Sequence, residues 1–171
     1  MTAKSASDRD KPCSRSSAEA DVTICILDTS VLVELLGVPG YDAQHEARVE
    51  EYARKLGATE QFLLPVAVLL ETGNHIAKLA DGRLRRAAAT TFGTFAKLAL
   101  EGNSPFVPAP APDAASVEKW LATFPESAER GVSLVDASLI SLWEDQCALH
   151  ASRRVYIWSL DGHLSAHDRR P

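Results

Sequence analysis

Residues 23–36 read Thr-Ile-Cys-Ile-Leu-Asp-Thr-Ser-Val-Leu-Val-Glu-Leu-Leu. Residues 24–27 are a short continuous apolar run, the pattern of a strand buried on both faces of a parallel sheet. The run stops at Asp28-Thr29-Ser30, and Val31, Leu32, Leu35 and Leu36 then recur at helical spacing. A strand that enters an acidic-hydroxyl turn and then a helix lifts its carboxylate to the carboxyl end of the sheet. That is the edge where open α/β sheets bind ligands. Two roles are open to Asp28. It is either a helix N-cap or turn residue, or a metal-binding or catalytic carboxylate, which requires acidic partners further along.

The remaining chain repeats this alternation. Residues 42–56 predict a helix with one modest apolar face, stopped by Gly57. Phe62-Leu63-Leu64 predicts a second strand, with Pro65 suited to the opening of the next helix. In that helix Val66, Leu69, Leu70, Gly73, Ile76, Ala77 and Ala80 form the expected core stripe, while Val68, Glu71, His75 and Lys78 share a different face. Asp81-Gly82 breaks the pattern before a helix over residues 83–100, whose start carries Arg83, Arg85 and Arg86. Those arginines are either a solvated basic tip or a phosphate-contacting patch. Three cations at a helix N-terminus oppose the macrodipole, so a reason outside stability is invited.

A proline-rich loop follows, with a short third strand at residues 106–107. Asp113 then caps a helix that Pro125 is expected to end. Ser133 and Asp136 stand in the spacing of a capping box at the head of another helix. Asp136 therefore has a structural role available besides a chemical one. Val155-Tyr156-Ile157-Trp158 predicts a last buried strand running into Ser159-Leu160-Asp161-Gly162, where Asp161 is either a turn residue or a second acid at Asp28's edge.

Composition sets the class. The chain has 171 residues, 46% of them hydrophobic, enough for one globular domain with its own core. Residues 1–20 are rich in Ser, Ala and charge without periodicity, so they predict a disordered tail ahead of a single domain over 21–171. A net charge of -5 argues against gripping nucleic acid by electrostatics alone, unless bound cations offset clustered acids. Three widely spaced cysteines without a Cys-x-x-Cys pair read as reduced thiols of a cytoplasmic protein. No apolar run approaches the roughly 20 residues that cross a bilayer, and no apolar segment follows the basic N-terminus, so no membrane association is expected.

Strands alternating with helices predict a mainly parallel sheet covered on both faces, with right-handed crossovers gathering the strand ends at one edge. Asp28 and Asp161 follow strands directly, while Glu71 and Asp136 lie near helix starts. Carboxylates crowded together repel unless cations intervene, and hard oxygen ligands suit Mg²⁺ or Mn²⁺. Such sites hydrolyse phosphodiesters. These four acids carry most of the net charge, leaving the rest nearly neutral. A phosphate-bearing substrate would then be held by the metal with local cations such as Arg83, Arg85, Arg86, Arg153 and Arg154.

The segments Leu27-Asp28-Thr29-Ser30-Val31-Leu32, Pro65-Val66-Ala67-Val68-Leu69-Leu70-Glu71, Leu134-Val135-Asp136-Ala137-Ser138-Leu139-Ile140 and Ser159-Leu160-Asp161 resemble, in that order, the motifs of the PIN domain (named for the PilT N-terminus). This family of metal-dependent nucleases includes the VapC-type toxin ribonucleases. The resemblance implies a three-layer α/β/α sandwich around a mainly parallel sheet of about five short strands. It implies a Mg²⁺- or Mn²⁺-dependent endoribonuclease with Asp28, Glu71, Asp136 and Asp161 as catalytic acids. Asp28, Asp136 and Asp161 would ligate the metal, with Glu71 acting directly or through water and with Ser30 and Ser159 supporting them. It also implies RNA as substrate and admits a toxin of a type II toxin–antitoxin pair, a cognate antitoxin protein and a homodimer. The last motif continues Gly162-His163-Leu164 where an early Phe is more usual, so a decayed PIN-like scaffold that binds RNA or protein is the alternative. A phosphatase of the haloacid-dehalogenase type also ends its first strand on Asp. It places a second Asp two residues on, where this chain has Ser30.

Overall fold

β1 (Thr23–Leu27) occupies the middle of a five-stranded sheet in which every neighbour it meets is parallel to it. The computed structural model describes residues 22–171, so the tail expected over residues 1–20 lies outside the described residues. The strand order is β3-β2-β1-β4-β5, with β2 at Glu60–Leu64, β3 at Phe106–Pro108, β4 at Val155–Trp158 and β5 at Asp168–Arg169. Only β5 is antiparallel, pairing with β4 through Val155↔Arg169 and Tyr156↔Asp168. The chain steps outward from β1 to β2 to β3 and then returns to place β4 on the other side of β1. The reversal makes a topological switch point between the carboxyl ends of β1 and β4, the crevice in which open α/β sheets hold ligands.

Right-handed crossovers put the helices that connect β1, β2 and β3 on one face of the sheet and those between β3 and β4 on the other. The first group is α1 (Thr29–Leu35), α2 (His45–Gly57), α3 (Val66–Ala77) and α4 (Gly82–Leu100); the second is α5 (Ala114–Glu129) and α6 (Leu134–Leu149). A one-turn helix, α7 (Gly162–Ser165), joins β4 to β5. The core lies against β1, where Cys25, Ile26 and Leu27 are wholly buried with Val31 and Leu32 of α1. On the face shared by Cys25, Phe62 and Phe106, Tyr52 of α2 and Phe95 of α4 pack edge-on or stacked against the sheet aromatics. α6 is tied to the sheet by Leu139 and by the Trp143 indole N–H, which donates to the Val155 carbonyl at 3.0 Å. Thus the three-layer α/β/α sandwich with a mainly parallel sheet, expected from the alternation, is the observed fold. Among the described residues no helix is long and apolar enough to cross a membrane.

Three local expectations are corrected. The buried stripe of α3 is Val68, Thr72 and Ile76, not the one built on Val66 and Leu70. Leu70 is 67% exposed because α3 is packed from the side by α1 and α4, which face the i, i+4, i+8 row through Val68. α5 does not stop at Pro125 but continues through it to Glu129. The proline removes the N–H that Leu121 would accept, and Leu121 lies on the surface. Asp161-Gly162, a turn by its residues, opens α7, and the two-residue β5 carries too little pattern to be seen in sequence.

Candidate active site

Asp28 leaves β1 in an extended conformation (φ -100°, ψ 158°) and caps α1 with its own side chain. Its Oδ1 accepts the Thr29 N–H at 2.6 Å, while Oδ2 accepts the Ser30 N–H at 3.3 Å, the Ser30 hydroxyl at 2.5 Å and the Ser159 hydroxyl at 2.7 Å. The residue is only 5% exposed. The N-cap role is therefore the observed one, and this N-cap sits at the switch point, bonded across to the chain that leaves β4.

The two serines act as relays. Ser30 Oγ donates to Asp28 and accepts the Leu160 N–H at 3.0 Å; Ser159 Oγ donates to Asp28 and accepts the Asp161 N–H at 2.9 Å. A hydroxyl that accepts from backbone is polarised toward donating, so both strengthen their bond to the carboxylate. Beside them the Thr29 hydroxyl donates to Glu71 Oε2 at 2.7 Å. Thr29 thus couples Glu71, in the second turn of α3, to the turn that carries Asp28. Its role was missed in the sequence because a hydroxyl next to an acidic cap is ordinary; only the packing of α3 on α1 gives it a partner.

The other two acids are held apart from this network. Asp136 closes a full capping box: its Oδ2 accepts the Ser133 N–H at 2.9 Å while Ser133 Oγ accepts the Asp136 N–H at 3.0 Å. α6 leads into the amino end of β4, so its own first turn points back toward the carboxyl edge. Asp161 caps α7, its Oδ1 accepting the His163 N–H at 2.7 Å, and connects to Asp28 only through the Ser159 hydroxyl. Among the described residues no three His, Cys, Asp or Glu side chains converge closely enough to hold a metal ion.

The donor chemistry nonetheless fits a hard cation. Glu71, Asp136 and Asp161 each commit one carboxylate oxygen to the scaffold and keep the other without a hydrogen-bond partner among the described residues. Asp28 Oδ1 accepts a single bond. None of the four forms an ion pair with Lys or Arg among the described residues. An oxygen-only set with spare lone pairs and no resident positive charge is what Mg²⁺ or Mn²⁺ takes.

Of the basic residues named from sequence, Arg83, Arg85 and Arg86 lie exposed at the start of α4. Asp81 resolves their clash with the helix dipole by capping α4, and the Leu84 and Arg83 N–H groups hold its carboxyl below the usual range. Arg153 and Arg154 lie instead at the opposite edge, where Arg154 clasps Asp168 in a two-point ion pair.

No protein-family model matches the chain, and no curated protein matches it. Solved structures do. VapC20 of Mycobacterium tuberculosis, described as a sarcin–ricin loop cleaving toxin, superposes with a TM-score of 0.57 at 20% identity over 83% of this chain and 93% of that one. VapBC2 of Rickettsia felis, solved bound to a DNA fragment from its promoter, gives a TM-score of 0.44 at 13% identity over 80% of this chain and 100% of that one. The sheet order, the acid-capped first helix and the likeness to VapC20 give this chain the VapC-type PIN nuclease fold.

Proposed function

We propose that this protein is a cytoplasmic endoribonuclease that hydrolyses RNA phosphodiester bonds with Mg²⁺ or Mn²⁺. The observation that carries the proposal is Asp28, a buried carboxylate at the switch point, held by neutral donors and paired with no cation among the described residues. Burying an uncompensated charge is costly, and the cost is lifted when a cation and a polyanionic substrate meet there. Asp28, Asp136 and Asp161 are the proposed ligands, with Glu71 acting directly or through water. Such a cation supplies charge stabilisation at the phosphate and acidifies a water. The chain's own part is positional. Ser30 and Ser159 fix the Asp28 carboxylate plane, and Thr29 fixes Glu71 with its Oε1 left to accept a proton.

RNA cleavage by wild type and by Asp28→Asn, each with Mg²⁺ and Mn²⁺, tests this reading. The expected loss in the variant is about 10²-fold or more. Equal activity in both, or none in wild type across varied RNAs, overturns it. The separation of Asp136 and Asp161 from the Asp28 network favours the decayed-scaffold alternative. That alternative requires that no millimolar Mg²⁺ or Mn²⁺ binding be lost in Asp136→Asn.

We extend the proposal to a toxin whose partner is a cognate antitoxin, a second copy, or each in turn. An open groove of about 590 Å³ between α3, α5 and α6, walled by Val66, Leu70, Leu142 and Leu149, leaves an apolar face of this domain unmatched.

A further inference from the structure

Tyr41 lies in the loop after α1, and nothing in the reaction outlined above uses it. Its hydroxyl meets His75 Nδ1 at 2.8 Å, and the two rings pack edge to face with centroids 4.9 Å apart. The loop is pinned on either side: Val38 is buried, the Tyr41 N–H donates to the Val38 carbonyl at 2.9 Å, and the Gly40 N–H donates to Asp42 Oδ1 at 3.1 Å. Gly40 supplies the positive φ of 83° that the turn requires. An aromatic ring is thus held rigidly at the surface, 38% exposed, with its own polar group already satisfied. What it still offers is the exposed part of its ring.

Its position gives that exposed ring a ligand. Glu71, His75 and Lys78 follow one another at i, i+4 and i+7 on a single side of α3. His75 is about 6 Å along the helix from Glu71, and Lys78 about 10 Å. At the end of this line Arg85 Nη1 donates to the Ala77 carbonyl at 3.4 Å, which brings the arginines of α4 against the end of α3. Lys78, Arg83, Arg85 and Arg86 are exposed, and none pairs with a carboxylate among the described residues. An acid, an aromatic pair and then cations unpaired among the described residues lie in sequence along one side of α3, the order that a nucleic-acid backbone with a stacked base would meet.

We propose that Tyr41, locked by His75, is a stacking platform for a nucleobase of single-stranded RNA, whose backbone runs from the Asp28–Glu71 site along α3 to Lys78 and Arg85. The proposal rests on the ribonuclease reading for its ligand class. Stacking suits it because every base presents a π-face, and a ring fixed in advance loses little entropy on binding. The arginines singled out in the sequence gain a function as the far end of this path.

The test is fluorescence anisotropy of a short labelled single-stranded RNA with the full chain in EDTA, so that cleavage does not intervene. Tyr41→Ala weakens binding about tenfold, and Tyr41→Phe, which keeps the ring but loses the hydroxyl bond to His75, falls between Tyr41→Ala and wild type. Lys78→Ala and Arg85→Ala each reduce the slope of log K against log salt by about one, whereas Tyr41→Ala leaves it unchanged because stacking releases no counterions. Thermal melts show that the variants are folded. Wild-type affinity in Tyr41→Ala, an equal loss in Tyr41→Phe, or no RNA binding by wild type overturns the platform. RNA binding that depends on Tyr41 without any metal-dependent cleavage removes the ribonuclease reading and leaves the platform standing.

Discussion

The two ends of the sheet solve the same electrostatic problem differently. At the amino edge, Lys55 of α2 donates to the Tyr156 hydroxyl at 2.6 Å, and that hydroxyl donates to Glu60 Oε2 at 2.5 Å. Lys55 also lies over the Tyr156 and Trp158 rings, and Arg154 clasps Asp168 while lying over the Tyr156 ring as well. Each acid there has a cation from the chain itself. The surrounding burial pushes the Cys25 thiol up to about 12 and raises the Tyr156 phenol as well, so neither ionises. At the carboxyl edge, Asp28 and Glu71 receive hydroxyls and backbone N–H groups and, among the described residues, no cation. One edge is complete as folded. The other holds its acids with neutral donors, the arrangement that the proposed cation site requires.

Lys55→Met strips the amino edge of its cation while Glu60, with a 9% exposed side chain, remains; urea unfolding should show a loss of about 3 kcal/mol. A change near zero would mean the amino edge tolerates unpaired acids as the carboxyl edge does. Adding Mg²⁺ or Mn²⁺ at a hundred times its Kd should stabilise the wild-type protein by about 2.7 kcal/mol and leave Asp28→Asn unmoved. Removing the ion with EDTA should reverse the gain, and an equal response in both proteins would detach Asp28 from the metal. Ser159→Ala, which removes a donor from Asp28 without touching any charge, should cost about 1 kcal/mol of stability and between about 10- and 100-fold in cleavage.

The smallest effect concerns pH. The bond from Arg154 holds the Asp168 carboxyl below its usual range. A lowered folded value means that its stabilisation is complete above about pH 3.9 and drains away as the pH falls through the lower, folded pKa. The pair is partly exposed, so the effect is about 1 kcal/mol or less, seen as a flatter acid-unfolding curve in Asp168→Asn.

Some of this was legible before folding. The run 24–27 followed by Asp28 reads as a doubly buried strand ending in an acid at a sheet edge, because apolar continuity and an abrupt polar stop are local properties. The capping box of Ser133 and Asp136 was equally readable, since both partners lie within one turn. The face of α3 was not. Val66, Leu69 and Leu70 satisfy the helical period as well as Val68, Thr72 and Ile76, and the choice between them falls to the neighbouring helices. Pro125 misled for a related reason: its cost is real but small enough for a surface helix to bear.

The alternation of strands and helices and the acids at their ends are written in the local sequence, because periodicity and caps act over a few residues, and four motifs in order carry the resemblance to a nuclease fold. Only the tertiary structure decided that β4 returns beside β1, that Ser30 and Ser159 meet on Asp28 across 129 and 131 residues, and that Thr29 reaches Glu71. It also decided that Tyr41 meets His75. Contacts between distant segments depend on how whole elements stack, and no local pattern encodes which hydroxyl a carboxylate will find.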